Sequence, residues 1–157
     1  MTRITKKGMS LTMIFPRIVG IINGIEISQG HIDILMREEL GRNISNKISC
    51  NTYLLEMPEL KELKEVLEEC MNHYVQQVIK PADKVKFRIT QSWLNVANKG
   101  EQHHYHAHPN SYLSGCLYIS ADKSVDQIQF FRENRPEIQI EHRELDVANS
   151  DSWSFPV

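Results

Sequence analysis

The hydrophobic pattern changes period near Lys84, and no other feature limits the fold as strongly. Before that point apolar residues recur at three- and four-residue steps. Leu60, Leu63, Leu67, Cys70, Tyr74 and Val78 form one stripe between Glu and Lys residues. After it the step is two, with Val85, Phe87, Ile89, Gln91, Trp93, Asn95 and Ala97 on one parity. A chain whose first half reads as helix and whose second half reads as strands is an α+β protein. Its helices lie along a sheet that folds into a sandwich or barrel.

The boundaries follow from local signals. Residues 1–10 are basic and aperiodic and read as a disordered leader. Residues 11–82 form the helical N-terminal part and residues 83–157 the strands, all within one domain, as a length of 157 residues suits. Leu11 to Phe15 reads as a short strand closed by Pro16, and Asn23-Gly24 as a turn. Ser28 is placed to N-cap a helix carrying Ile32, Leu35, Met36 and Leu40, with Gly41 as its left-handed C-terminal residue. Ser45-Asn46 suggests a loop and Cys50 to Leu55 a short strand. Pro58 opens the long helix and Pro81 bounds it near Ile79. Further strands are expected over 112–120, 126–131 and 137–145, with Asn98-Lys99-Gly100 and Pro109-Asn110-Ser111 as turns.

Composition narrows the function. A net charge of −2 with dispersed basic residues gives no footprint for nucleic acid. No apolar run approaches the roughly 18 residues of a membrane span. Cys50, Cys70 and Cys116 lack metal-site spacing, which fits reduced packing thiols in a cytoplasmic protein.

Four of the seven histidines fall between positions 103 and 108: His103, His104, His106 and His108. On a strand, His104, His106 and His108 share a face and His103 points away. His106 and His108 can then reach one metal together, and imidazole suits Fe(II), Zn(II) or Ni(II). The following run places Tyr112, Ser114, Cys116 and Tyr118 on one parity and Leu113, Leu117 and Ile119 on the other, as in a wall between a core and a polar cavity.

Together, Trp93, Asn95, Gly100, His103, His106, His108, Pro109, Ser111, Ser114, Gly115 and Tyr118 form a pattern. It resembles the small 2-oxoglutarate- and Fe(II)-dependent oxygenases of marine bacteria and cyanophages. Ile14-Phe15-Pro16 and Ser45-Asn46 extend the likeness, which covers roughly Leu11 to Phe131. The resemblance implies a double-stranded β-helix, or jelly roll, packed against N-terminal helices. It implies a dioxygenase that hydroxylates an organic substrate, a small molecule or peptide, with Fe(II) and 2-oxoglutarate. It makes His106 and His108 the metal ligands, brings Tyr118 to the co-substrate carboxylate, and lines the pocket with Asn95 and Ser114.

The family pattern also asks for a distal histidine and then a basic residue. His142 is the last histidine and lies in an alternating run, so the chain reads as C-terminally truncated, its last strands missing. Arg135 and Arg143 then read as surface charges, and the exposed sheet edge is expected to pair two copies of the chain. Two other readings stay open. One is a cupin-like metal-binding protein, since Gly100 and the His106-x-His108 pair match the opening of a first cupin motif without its glutamate. The other is a non-catalytic β-sandwich interaction module.

Overall fold

A computed structural model describes residues 16–132 and 141–157. The strand expected over 11–15, residues 137–140 of that over 137–145, and Arg135 lie outside the described residues; residues 141–145 are described and form no strand, having no neighbouring backbone in a ladder. The chain forms two compact units, residues 1–106 and 107–157. The described elements mix helices with small antiparallel sheets, an α+β arrangement.

In the first unit, helix α1 spans Gln29–Leu35. Ser28 caps it as expected: its backbone is extended and its Oγ accepts the N–H of His31 at 3.2 Å. The helix stops earlier than its apolar pattern suggests. Arg37 and Glu38 donate to Ile34 and Leu35 in a tightened last turn, and the chain leaves as strand β1, Leu40–Arg42. Gly41 is therefore not a helix C-cap. It lies in β1 opposite Ile48.

β1 pairs antiparallel with β2, Lys47–Ser49, around a turn closed by Asn43 N–H donating to Asn46 O. Strand β3, Asn95–Val96, adds to the other side of β2. The long strand expected from Val85 onward is thus realised only near its end, with Ser92 bridging Tyr53. Alternation fixes which side chains face inward, but a ladder also needs a neighbouring backbone. Here β2 and the Tyr53 segment supply one only alongside Ser92 to Val96. The Cys50–Leu55 stretch likewise gives a bridge at Tyr53 and then a 3-10 turn, Leu54–Glu56, instead of a strand.

Pro58 opens a second 3-10 turn, Pro58–Leu60, that runs into helix α2, Lys61–Tyr74. The helix widens to a π turn over Val75–Ile79 and ends at Lys80 in the left-handed region, φ 49°. Leu60 and Leu63 from the expected stripe are buried, together with Leu35, Leu54 and Val75, and these side chains make the core. The approach to α1 lies across α2: Tyr74 Oη donates to Ile18 O at 2.8 Å. A Cβ on Gly20 would stand 2.7 Å from the Tyr74 ring.

Ser49 is the polar centre of this unit and only 2% exposed. Its hydroxyl donates to Asn51 O at 2.7 Å and accepts the Leu94 N–H at 3.0 Å, while its own N–H donates to Leu94 O. One side chain thus joins β2 to the run that leads into the histidines.

In the second unit, strand β4, Gln127–Phe131, pairs with β5, Ser152–Pro156, in register from Gln127↔Pro156 to Phe131↔Ser152. The Phe130 and Phe155 rings meet edge to face, centroids 6.1 Å apart. β4 falls where the sequence places a strand. β5 is not anticipated, although Trp153 and Phe155 alternate with serines. Residues 112–120 carry no ladder, yet Leu113, Leu117 and Ile119 are half-buried and Tyr112, Ser114, Cys116 and Tyr118 exposed, the expected division. Arg143 is exposed. No helix among the described residues is long and apolar enough to cross a membrane.

Candidate metal centre

The histidine run begins after the turn at Asn98-Lys99-Gly100. There Glu101 N–H donates to Asn98 O, and Gly100 takes the positive φ, 85°, that the turn requires. The Glu101 carboxylate accepts from both the backbone and the side chain of Asn98, which holds it below its usual pKa.

Three histidines of the first unit converge. His103, His104 and His106 each offer one ring nitrogen, and all three lie within 4.8 Å of one another. Their ring centroids are 4.5 to 4.9 Å apart. The strand rule that turns His103 away does not operate, because residues 101–108 are not in a ladder.

Each ring is held differently. The Nδ1 of His106 lies 2.8 Å from the carbonyl of His104. A carbonyl only accepts, so Nδ1 carries the proton and Nε2 the lone pair. The Nδ1 of His103 meets Asn46 Nδ2 at 2.9 Å, and Asn46 Oδ1 in turn accepts from Asn43. Asn46 is 6% exposed, a buried amide that joins the β1–β2 turn to the histidine run. It comes from the Ser45-Asn46 pair already singled out, and it also lines a cavity of about 400 Å³ formed by residues 40–47 and Glu101. The third ring is unlike the others: His104 Nδ1 is buried with no hydrogen-bond partner. A buried nitrogen left unpaired costs about 1–3 kcal/mol. A metal ion would take its lone pair.

In the second unit, His108 Nδ1 lies 2.8 Å from Ser114 Oγ, itself 3.4 Å from Ser111 Oγ. Asn110 adopts the left-handed conformation, φ 64°, in the expected turn. Partial burial and a hydrogen bond to the Cys116 side chain keep the Tyr118 hydroxyl well above its ordinary pKa, so it is a neutral donor. Asn95 lies in β3 of the first unit, exposed. Sequence reasoning names His106 but leaves His103 and His104 without a role, and it misses Asn46 as a partner.

This stretch also decides the comparison with known proteins. Residues 91–155 match the family model described as "Putative 2OG-Fe(II) oxygenase". The match supports the oxygenase family read from the motifs. It takes in the whole histidine run, Ser114 and Tyr118, and extends past Phe131 to Phe155, so it reaches into β5. Residues before Gln91 lie outside it. No curated protein and no solved structure matches the chain.

Proposed function

We propose that this chain is a 2-oxoglutarate- and Fe(II)-dependent dioxygenase, or a fragment of one, that hydroxylates an organic substrate, a small molecule or peptide, and is built on a double-stranded β-helix. The observation that carries the reading is the oxygenase-family match over residues 91–155, which contains a His-x-His pair at His106 and His108. The donor set suits the metal: imidazole nitrogens bind Fe(II) well, and the unpartnered buried nitrogen of His104 marks this run as a place for a cation. Bound Fe(II) supplies the oxygen chemistry, with 2-oxoglutarate as co-substrate.

The chain's own residues supply position and charge. The Nε2 of His106 is the lone-pair nitrogen because Nδ1 is committed to a carbonyl. Ser114 Oγ can accept from His108 Nδ1 and orient that ring in the same sense. Tyr118, held neutral, would donate to a carboxylate of 2-oxoglutarate without charge repulsion. Asn95 and Ser114 would line the pocket. In the second unit the β4–β5 ribbon has two strands among the described residues, and its outer edges support pairing with a second copy.

The test is an anaerobic titration of the protein with Fe(II) and then 2-oxoglutarate. A weak visible charge-transfer band is expected, absent from His106→Ala and from His108→Ala. A double variant lacking both imidazoles that still developed the band would overturn the ligand assignment. No band in the product of the full-length gene would overturn the oxygenase reading.

A further inference from the structure

We infer that His103, His104 and His106 form a three-nitrogen site for a divalent transition-metal ion, with His104 Nδ1 as a ligand. The site goes beyond the oxygenase reading: it needs neither 2-oxoglutarate nor His108, and His106 is the one side chain common to both.

Two independent observations lead here. The first is convergence. Three ring nitrogens lie within 4.8 Å of one another. Bonds of about 2.0–2.1 Å to one ion would bring nitrogens to roughly 3.4 Å apart. Closing that gap needs the rings to draw together, and His103 and His106 are exposed side chains. The second observation is the orphaned Nδ1 of His104. Of the three rings it is the least exposed, and its Nδ1 is buried without a hydrogen-bond partner. Coordination satisfies it, whereas a change of tautomer does not, because a buried N–H would be as unpartnered as a buried lone pair.

The surrounding bonds fit ligation. Nδ1 of His106 donates to a carbonyl and presents Nε2, the arrangement metal-bound histidines use. His103 reaches the same state if its Nδ1–H donates to Asn46. That requires the Asn46 amide to turn its oxygen toward the ring and give up the hydrogen bond from Asn43 Nδ2, so Asn46 is a positioning residue for His103. Three neutral imidazoles and no carboxylate favour a borderline ion over Mg(II) or Ca(II). Because the Nε2 of His106 serves one ion at a time, the chain binds one equivalent.

Co(II) titration followed by visible d–d absorption, with Zn(II) thermal shifts alongside, tests this. The intact chain is expected to bind one equivalent and to melt at a higher temperature with excess Zn(II). His104→Phe keeps the ring volume and removes the orphaned nitrogen. It should fold as well as the parent without metal, yet bind Co(II) about a hundred-fold more weakly and lose the Zn(II) shift. His103→Ala, at an exposed position, should weaken binding about ten-fold, and His108→Ala should stay within three-fold of the parent. Undiminished binding in His104→Phe, a loss in His108→Ala as large as in His104→Phe, or no Co(II) binding by the intact chain would each overturn the site. His104-dependent Co(II) binding without an Fe(II)–2-oxoglutarate band in the product of the full-length gene would remove the oxygenase reading and leave this site standing.

Discussion

Ser49 and Asn46 sit one turn of hairpin apart, and both spend their side chains on the approach to the histidines. Ser49→Ala would leave the Leu94 N–H and the Asn51 carbonyl unpaired in a buried place. A loss of about 1–3 kcal/mol is expected in denaturant unfolding. A variant as stable as the parent would mean that water reaches those groups. Asn46→Asp probes the metal centre from behind. A carboxylate can accept from His103 Nδ1 and still accept from Asn43, so Co(II) affinity should rise several-fold. Tyr118 is tested by pH. Its hydroxyl is held neutral above the ordinary tyrosine value, so it should contribute no tyrosinate absorbance below about pH 10.5. Titration curves of the parent and Tyr118→Phe should superimpose to that point. A variant missing one-fifth of the signal from the five tyrosines would show an ordinary phenol. None of these partners was visible in the sequence. Hydrogen bonds such as Asn46 to His103 join positions 57 apart and leave no local pattern.

Elements were legible where local physics decides them. The Ser28 cap, the Pro58 start and the end of the helical run at Ile79 all stand where composition puts them. The strands were less so, since pairing depends on a remote partner. Gly41 shows the limit: the same glycine that reads as a helix stop is a strand residue once the helix ends a turn and a half sooner. Leu60 is fully buried in a core of few side chains, so Leu60→Ala should cost about 2–5 kcal/mol and lower the melting temperature sharply. A loss under about 1 kcal/mol would show that the α2 face packs more loosely than its burial implies.

For the whole molecule, the α+β class and the oxygenase likeness followed from the change of period and from the spacing of Trp93 to Tyr118. The histidine cluster followed only in part. Parity pairs His106 with His108, because parity assumes a strand; outside a ladder the first unit also brings His103 and His104 to His106. The thiols were also misjudged as packing groups: Cys50 and Cys116 are exposed and Cys70 is half-buried, all three free. That has a practical side. Air oxidation of exposed thiols links copies covalently, and free Fe(II) with oxygen hastens it. A dimer seen in aerated buffer would then report sulfur chemistry and say nothing of strand edges. Reduced protein that still doubles its mass in light scattering would be needed before any edge pairing is accepted. Cys116, exposed and hydrogen-bonded to the Tyr118 hydroxyl, offers something in return: a change in its alkylation rate in Tyr118→Phe would report that contact.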